Sequence, residues 1–128
     1  MIPKVGGPQT QPISFTSKMK DLYKKGKLKG FKYGLYGDLL DIKNVTDEHV
    51  CPKSWGGPTI QDNLALSSKR KNNLRGNKPL SEFLTKETLQ QYIDQCMQIK
   101  TKDFDGPKYV QGLLKWINKT LDMEKFFK

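Results

Sequence analysis

Short apolar runs with strand character precede longer helical stripes along this chain. The segment "NVTDEHV" is rich in β-branched residues and is followed by Pro52, which predicts a strand ending near His49. The glycine pair and Pro58 of "WGGPTIQD" predict a loop, and the alternating leucines of "NLALSS" predict a second strand. "SKRKNNLR" before Gly76 predicts a short helix with a glycine stop. The expected order is strand, loop, strand, helix.

Two amphipathic helical patterns follow. "PLSEFLTKETLQQYIDQCMQI" places its apolar residues near one helical face, and Thr85 or Thr88 is a candidate interruption. In "DGPKYVQGLLKWIN", Asp105 can cap a helix and Pro107 can sit in its first turn. The apolar stripe of this last helix is Val110, Leu113, Leu114, Ile117 and Leu121, with Trp116 alongside. We interpret both stripes as packing surfaces.

The N-terminal third has a different composition. Residues 1–17 are rich in Pro, Gly, Gln, Ser and Thr and are expected to be irregular. Residues 18–32 carry seven lysines against one aspartate, with two aromatic residues between them. This density suits a surface that follows phosphates, and a solvated helix face is the alternative. We expect residues 1–32 to form a flexible, lysine-rich N-terminal arm.

Charge and length restrict the partners and the compartment. The 128 residues suffice for one domain, and the net charge of +10 indicates a polyanionic partner, most simply nucleic acid. No apolar run of about eighteen residues and no secretory signal is visible, so we expect a soluble, cytoplasmic protein with no membrane partner. Cys51 and Cys96 lie far apart, as expected for free thiols in a reducing compartment.

The candidate chemistry surrounds His49, the only histidine. Phosphodiester hydrolysis needs a group that takes a proton from water, and a neutral imidazole does this near pH 7. It also needs positive charge at the phosphate, which a divalent cation held by carboxylate or amide oxygens supplies. Glu48, His49 and Asn72 provide these three chemical types.

The spacing sharpens this interpretation. From His49 to Asn63 is 14 residues (63 − 49), and from Asn63 to Asn72 is 9 (72 − 63). The chain resembles the HNH nucleases, also called ββα-metal or His-Me finger enzymes, over roughly residues 33–79. The motif elements in register are Glu48-His49, Pro52, Gly56-Gly57, Asn63-Leu64, Asn72 and the "LRGN" ending at 74–77. With Asn in the third place, the resemblance is to the HNN type, like the HNH domain of RNA-guided CRISPR nucleases.

The resemblance implies an α+β fold with a small ββα-metal core over 33–79. The helical patterns that follow predict a C-terminal helical extension over 80–128 that packs on this core. The resemblance also implies that His49 is the general base, that Asn63 ties the loop down and orients it, and that Glu48 and Asn72 bind one divalent metal. Mg²⁺ is the expected ion, with Mn²⁺ or Ni²⁺ as alternatives. The substitute ligands, if the register differs by one, are Asp47 and Asn73. Residues expected to contact phosphates are Lys53, Arg70, Lys71 and Arg75 near the site, and Lys24, Lys25, Lys27 and Lys29 in the arm.

Three features depart from the family or conflict with it. The positions of the family's structural zinc hold Tyr33, Tyr36, Ser68 and Lys71, so no structural zinc is expected and aromatic packing with the C-terminal helices should replace it. Glu48 stands where Asp is commoner. Neighbouring strand residues also point to opposite faces, so Glu48 and His49 share a site only if the strand ends or distorts there.

Several functions stay open from the sequence. The leading prediction is a metal-dependent endonuclease that nicks or cuts double-stranded DNA, acts as a monomer or homodimer, and comes from a phage, a mobile element or a bacterium. A nucleic-acid-binding module that kept the fold without efficient catalysis is the first alternative, and a basic RNA-binding or ribosome-associated protein is the second. A Cys51 nucleophile, or a zinc site from His49, Cys51 and Cys96, lacks supporting residues.

Overall fold

The computed structural model describes residues 18–126, so the predicted irregular segment 1–17 lies outside the described residues. These residues form a mixed α/β fold with one two-stranded antiparallel sheet. The helices and strands, in chain order, are α1 (Met19–Lys24), β1 (Val45–His49), β2 (Leu64–Ser68), α2 (Lys69–Arg75), α3 (Lys86–Met97) and α4 (Gly106–Glu124). Short 3-10 turns occur at Lys53–Trp55, Gln61–Asn63 and Leu80–Glu82.

The strand, loop, strand, helix order is confirmed. β1 ends at His49, which pairs with Leu64 at the start of β2. Helix α2 follows β2 directly, with Ser68 as its N-cap accepting a hydrogen bond from the Lys71 amide. Gly76 then ends the helix with a φ of 51°, a conformation that glycine adopts without steric cost.

The second strand is covered on both faces, because every residue of β2 is buried. Its free edge is closed by side chains and a loop: the Leu66 amide donates to the Tyr92 hydroxyl (2.9 Å), and the Leu64 carbonyl accepts from the Tyr109 hydroxyl (2.6 Å). The Leu66 carbonyl accepts from the Leu35 amide at 2.9 Å. These hydrogen bonds satisfy backbone groups on the edge of β2 without a third strand.

The predicted helical pattern after residue 79 divides into two elements. The 3-10 turn Leu80–Glu82 comes first, and α3 begins only after Thr85, which forms a capping box with Thr88. Helix α4 begins as predicted, with the Asp105 carboxylate accepting from the Lys108 amide at 3.1 Å. None of the helices in the described part of the chain has the length and apolar character that crossing a bilayer requires.

Residues 18–32 correct the prediction of a flexible arm. They contain α1, which packs on both strands, and they bury four side chains in the core: Met19, Leu22, Leu28 and Phe31. The Asp47 carboxylate accepts a hydrogen bond from the Lys20 amide at 2.8 Å and so joins the start of α1 to β1. The lysines occupy the solvent side of a segment whose apolar residues belong to the domain.

Candidate functional site

One cleft brings together the predicted base, His49, and both predicted metal ligands. Glu48 and His49 reach it from the end of β1, and Asn72 reaches it from α2. The cleft has a volume of about 260 Å³, and its other lining residues are Pro52, Lys53, Ser54, Gly76 and Asn77. Adjacent strand residues can share this cleft because β1 ends at His49, where the strict alternation of side chains also ends.

His49 is half-buried and held by one hydrogen bond. Its Nε2 lies 2.8 Å from the Thr59 hydroxyl in the loop between the strands. Burial lowers the pKa of His49 below its ordinary 6.5, and the positive charges of Lys53 and Lys18 lower it further. The neutral form of the imidazole is therefore favoured at pH 7. When Nε2–H donates to Thr59, the lone pair of the ring is on Nδ1.

Asn63 is fully buried and binds the loop backbone at three points. Its Oδ1 accepts from the Cys51 amide at 2.8 Å, and its Nδ2 donates to the carbonyls of Cys51 (3.1 Å) and Pro58 (2.9 Å). The Asn63 carbonyl also accepts from the Val50 amide at 3.0 Å. These bonds hold the two ends of the loop that carries Thr59, and through Thr59 they constrain the ring of His49.

Glu48 is buried and paired on one oxygen. Its Oε2 accepts from the Tyr36 hydroxyl at 2.6 Å and lies 3.3 Å from Nη1 of Arg75, which is itself buried. Burial raises the pKa of Glu48, while the Tyr36 hydrogen bond and the Arg75 charge act against that rise. Within residues 18–126, Oε1 makes no hydrogen bond, so it is the oxygen of Glu48 that remains for a ligand.

The donor set suits a hard divalent cation. Asn72 donates through Nδ2 to the Asp47 carbonyl (3.2 Å), which leaves its Oδ1 without a hydrogen bond among the described residues. The cleft thus offers one carboxylate oxygen and one amide oxygen, the ligand type that Mg²⁺ prefers while keeping several waters. In residues 18–126 no three His, Cys, Asp or Glu side chains lie close enough together to hold a metal ion.

The substitute ligands lie elsewhere. The Asp47 carboxylate binds the Lys20 amide at the start of α1, and Asp47 does not line the cleft. Asn73 is exposed and also does not line it. The alternation along β1 and the turn of α2 therefore direct these two side chains away from Glu48 and Asn72.

The predicted phosphate contacts divide into three groups. Lys53 is exposed and lines the cleft. Arg70 and Lys71 border a separate depression beside Asp38 and Leu39. The prediction for Arg75 is wrong, because the side chain is fully buried and paired with Glu48, and cannot reach a phosphate in this conformation.

The lysines of residues 18–32 form a further group. Lys24, Lys25, Lys27 and Lys29 are all exposed. Three of them, Lys25, Lys27 and Lys29, border a cavity with residues 98–101 and 103 that shares no lining residue with the cleft. They therefore form a surface distinct from the candidate site.

The four residues at the positions expected for a structural zinc serve packing and hydrogen bonding here. Tyr36 binds Glu48 and packs on Phe83 with ring centroids 5.9 Å apart. The side-chain amide of Gln95 in α3 binds the backbone of Tyr33: the Tyr33 amide donates to Oε1 at 2.9 Å, and Nε2 donates to the Tyr33 carbonyl at 2.8 Å. The Ser68 hydroxyl caps α2 by accepting a hydrogen bond from the Lys71 amide. The loop bearing the tyrosines is thus joined to the C-terminal half of the chain.

The two cysteines are buried, and neither lines the cleft. Burial raises the pKa of both thiols, Cys51 and Cys96, which disfavours the thiolate that a nucleophile or a zinc ligand needs. Cys51 does not line the cleft, although it is two residues from His49.

Sequence reasoning missed three partners of the site. Tyr36 was considered only as a packing residue, and nothing local marks Thr59 as the partner of His49. Lys18, at the start of α1, contributes to the lowered pKa of His49.

Comparison of the chain with protein-family models, with curated proteins and with solved structures gave no match in any of the three.

Proposed function

We propose that this protein is a metal-dependent endonuclease of the HNH type that hydrolyses phosphodiester bonds in double-stranded DNA. The observation that carries the proposal is the convergence of Glu48, His49 and Asn72 at one cleft. Their order on strand, loop, strand and helix agrees with a ββα-metal core. The net charge of +10 favours a nucleic-acid partner, and the proposed setting is the cytoplasm of a bacterium or a phage-infected cell.

The residues divide the chemistry between them. His49 accepts a proton from the attacking water on Nδ1, and its hydrogen bond to Thr59 holds the ring in the required orientation. Glu48 Oε1 and Asn72 Oδ1 would hold the divalent ion, with the rest of its coordination left to water and substrate. When bound, the ion neutralises charge on the phosphate and on the leaving 3′ oxygen. Lys53 adds a positive charge at the same cleft.

A binding module of the same fold is the second candidate, and one contact favours it. The guanidinium of Arg75 lies 3.3 Å from Glu48 and already balances its charge. A carboxylate neutralised in this way attracts a divalent cation less strongly. A chain that had lost its metal would still bind DNA through its lysines and arginines.

Plasmid cleavage tests the proposal. Wild type, His49→Ala and the control Asn73→Ala are incubated with supercoiled plasmid and Mg²⁺, Mn²⁺, Ni²⁺ or EDTA. We expect metal-dependent conversion to open-circle or linear DNA by wild type and Asn73→Ala. His49→Ala should lose at least about a hundredfold in rate, since general-base catalysis contributes about 10²–10⁴-fold, and should bind DNA as the wild type does. Tight DNA binding without cleavage under any metal would favour the binding module.

A further inference from the structure

Arg75 contacts both neighbouring site residues of β1 with one nitrogen. Its Nη1 lies 3.3 Å from Glu48 Oε2 and 3.0 Å from the His49 carbonyl oxygen. The same nitrogen lies 3.2 Å from the Tyr36 hydroxyl, and Nε donates to the Lys78 carbonyl at 2.9 Å. The guanidinium is thus fixed from two sides, which leaves it little freedom to change partners.

Burying the charged side chain of an arginine in a core is unfavourable in free energy. Arg75 has no exposed surface, and its Nη2 is buried without a hydrogen bond within residues 18–126. Moving two charges out of water costs more than packing apolar residues of similar volume in many proteins. The incomplete satisfaction of the guanidinium indicates that its position serves something other than stability.

The pairing controls which oxygen of Glu48 remains for a ligand. Tyr36 and Arg75 both engage Oε2, so the carboxylate cannot rotate without losing two hydrogen bonds. Oε1 is then the oxygen that remains for a ligand in the cleft that Glu48 lines. The hydrogen bond from Arg75 to the His49 carbonyl also fixes the end of β1. This bond sets the position of the His49 backbone relative to Glu48.

Helix α2 places the second ligand and Arg75 on one face. Asn72 and Arg75 are three residues apart in the helix (75 − 72), about one turn, so their side chains leave it on the same side. The distance between the Asn72 amide and the Glu48 carboxylate is therefore set by one rigid element. Gly76, directly after Arg75, ends that element.

We propose that Arg75 is a positioning residue that, together with Tyr36, holds Glu48 Oε1 and the His49 backbone in the geometry for binding a divalent cation. The inference rests on the proposed function for the identity of the ligand, and it goes beyond that function by assigning the buried pair a role in metal affinity. Partners that orient a metal ligand typically contribute 10–100-fold to metal affinity.

The test compares Mn²⁺ binding by folded protein, measured by calorimetry and by electron paramagnetic resonance of the free ion. The variants are Tyr36→Phe, which removes one hydroxyl, and Arg75→Lys, which keeps the charge and removes the fork of donors. Arg70→Lys, on the exposed side of the same helix, is the control. We expect both test variants to bind Mn²⁺ about tenfold more weakly than wild type and the control to match wild type.

Cleavage and folding measurements separate the outcomes. In the variants kcat should fall while the KM for DNA stays as in wild type, because neither side chain reaches the DNA. Unchanged Mn²⁺ affinity in folded Tyr36→Phe overturns the inference, and this variant decides if Arg75→Lys does not fold. If wild type binds Mn²⁺ and cleaves nothing, the proposed endonuclease fails, while the Mn²⁺ comparison still decides the role of Arg75 and Tyr36.

Discussion

At the scale of single residues, the environment of His49 favours the form that accepts a proton. Burial and the charges of Lys53 and Lys18 act in the same direction, because each disfavours the imidazolium. Among the described residues, Glu48 is not one of the groups that shift the pKa of His49, although it is the neighbour of His49 in sequence. The charge of Glu48 is paired with Arg75.

Removing the Lys53 charge should raise the pKa of His49. A general base works above its own pKa, so a lowered pKa extends cleavage to lower pH, and Lys53→Met should move the acid limb of the rate profile upward. Titration of the imidazole by NMR in metal-free protein measures the pKa directly. Lys86→Met, in the first turn of α3, is the charge-matched control and should leave the titration unchanged. An identical titration in Lys53→Met and wild type would contradict the prediction.

At the scale of elements, the loop between β1 and β2 positions His49. Asn63 binds both of its arms, and the Gly57 amide donates to the Pro52 carbonyl at 2.9 Å. Gly57 is also a point where the chain approaches itself closely, since an added Cβ would overlap with the Cys51 carbonyl oxygen. The neighbouring Gly56 has open space around it and a φ of 89°.

These two glycines should therefore respond differently to alanine. Gly57→Ala requires the backbone to move, and we expect a loss of about 3 kcal/mol in the free energy of unfolding, at the upper end for overpacking. Gly56→Ala meets no atom, so only its left-handed conformation is penalised, by about 1 kcal/mol. Urea unfolding measures both values. A Gly57→Ala variant as stable as Gly56→Ala would show that the loop is less tightly closed than the structure indicates.

Local patterns made the strand, loop, strand, helix order predictable, because Pro52, the glycine pair and Gly76 punctuate it in sequence. The convergence of Glu48, His49 and Asn72 was expected from the resemblance to HNH nucleases, on the condition that the strand ends at His49. The buried position of Arg75 was not expected, because its partner Tyr36 is 39 residues away in sequence. The residues next to Arg75 do not distinguish a buried arginine from an exposed one. The dense lysines of residues 18–32 hid the apolar spacing of Met19 and Leu22, so helix α1 was mistaken for an arm.

At the scale of the whole molecule, the folded N-terminal segment gives its lysines fixed positions. Lys25, Lys27 and Lys29 border a cavity with Lys100, which comes from the connection between α3 and α4. Lys27 also forms an ion pair with Asp103 at 3.3 Å. The lysines of two distant segments thus form one basic surface, and Lys27 contributes less free charge to it than its neighbours do.

Neutralising this surface should reduce the salt dependence of DNA binding. Each phosphate contact contributes about 0.9 to the slope of log K against log salt, so the triple variant Lys25→Gln, Lys29→Gln, Lys100→Gln should lower the slope by about 2.7. The control triple, Lys86→Gln, Lys108→Gln, Lys115→Gln, removes the same charge from exposed sites on α3 and α4. Fluorescence anisotropy across a salt series measures both. Equal slopes in the two triples would mean that DNA responds to the net charge of +10 and not to this surface.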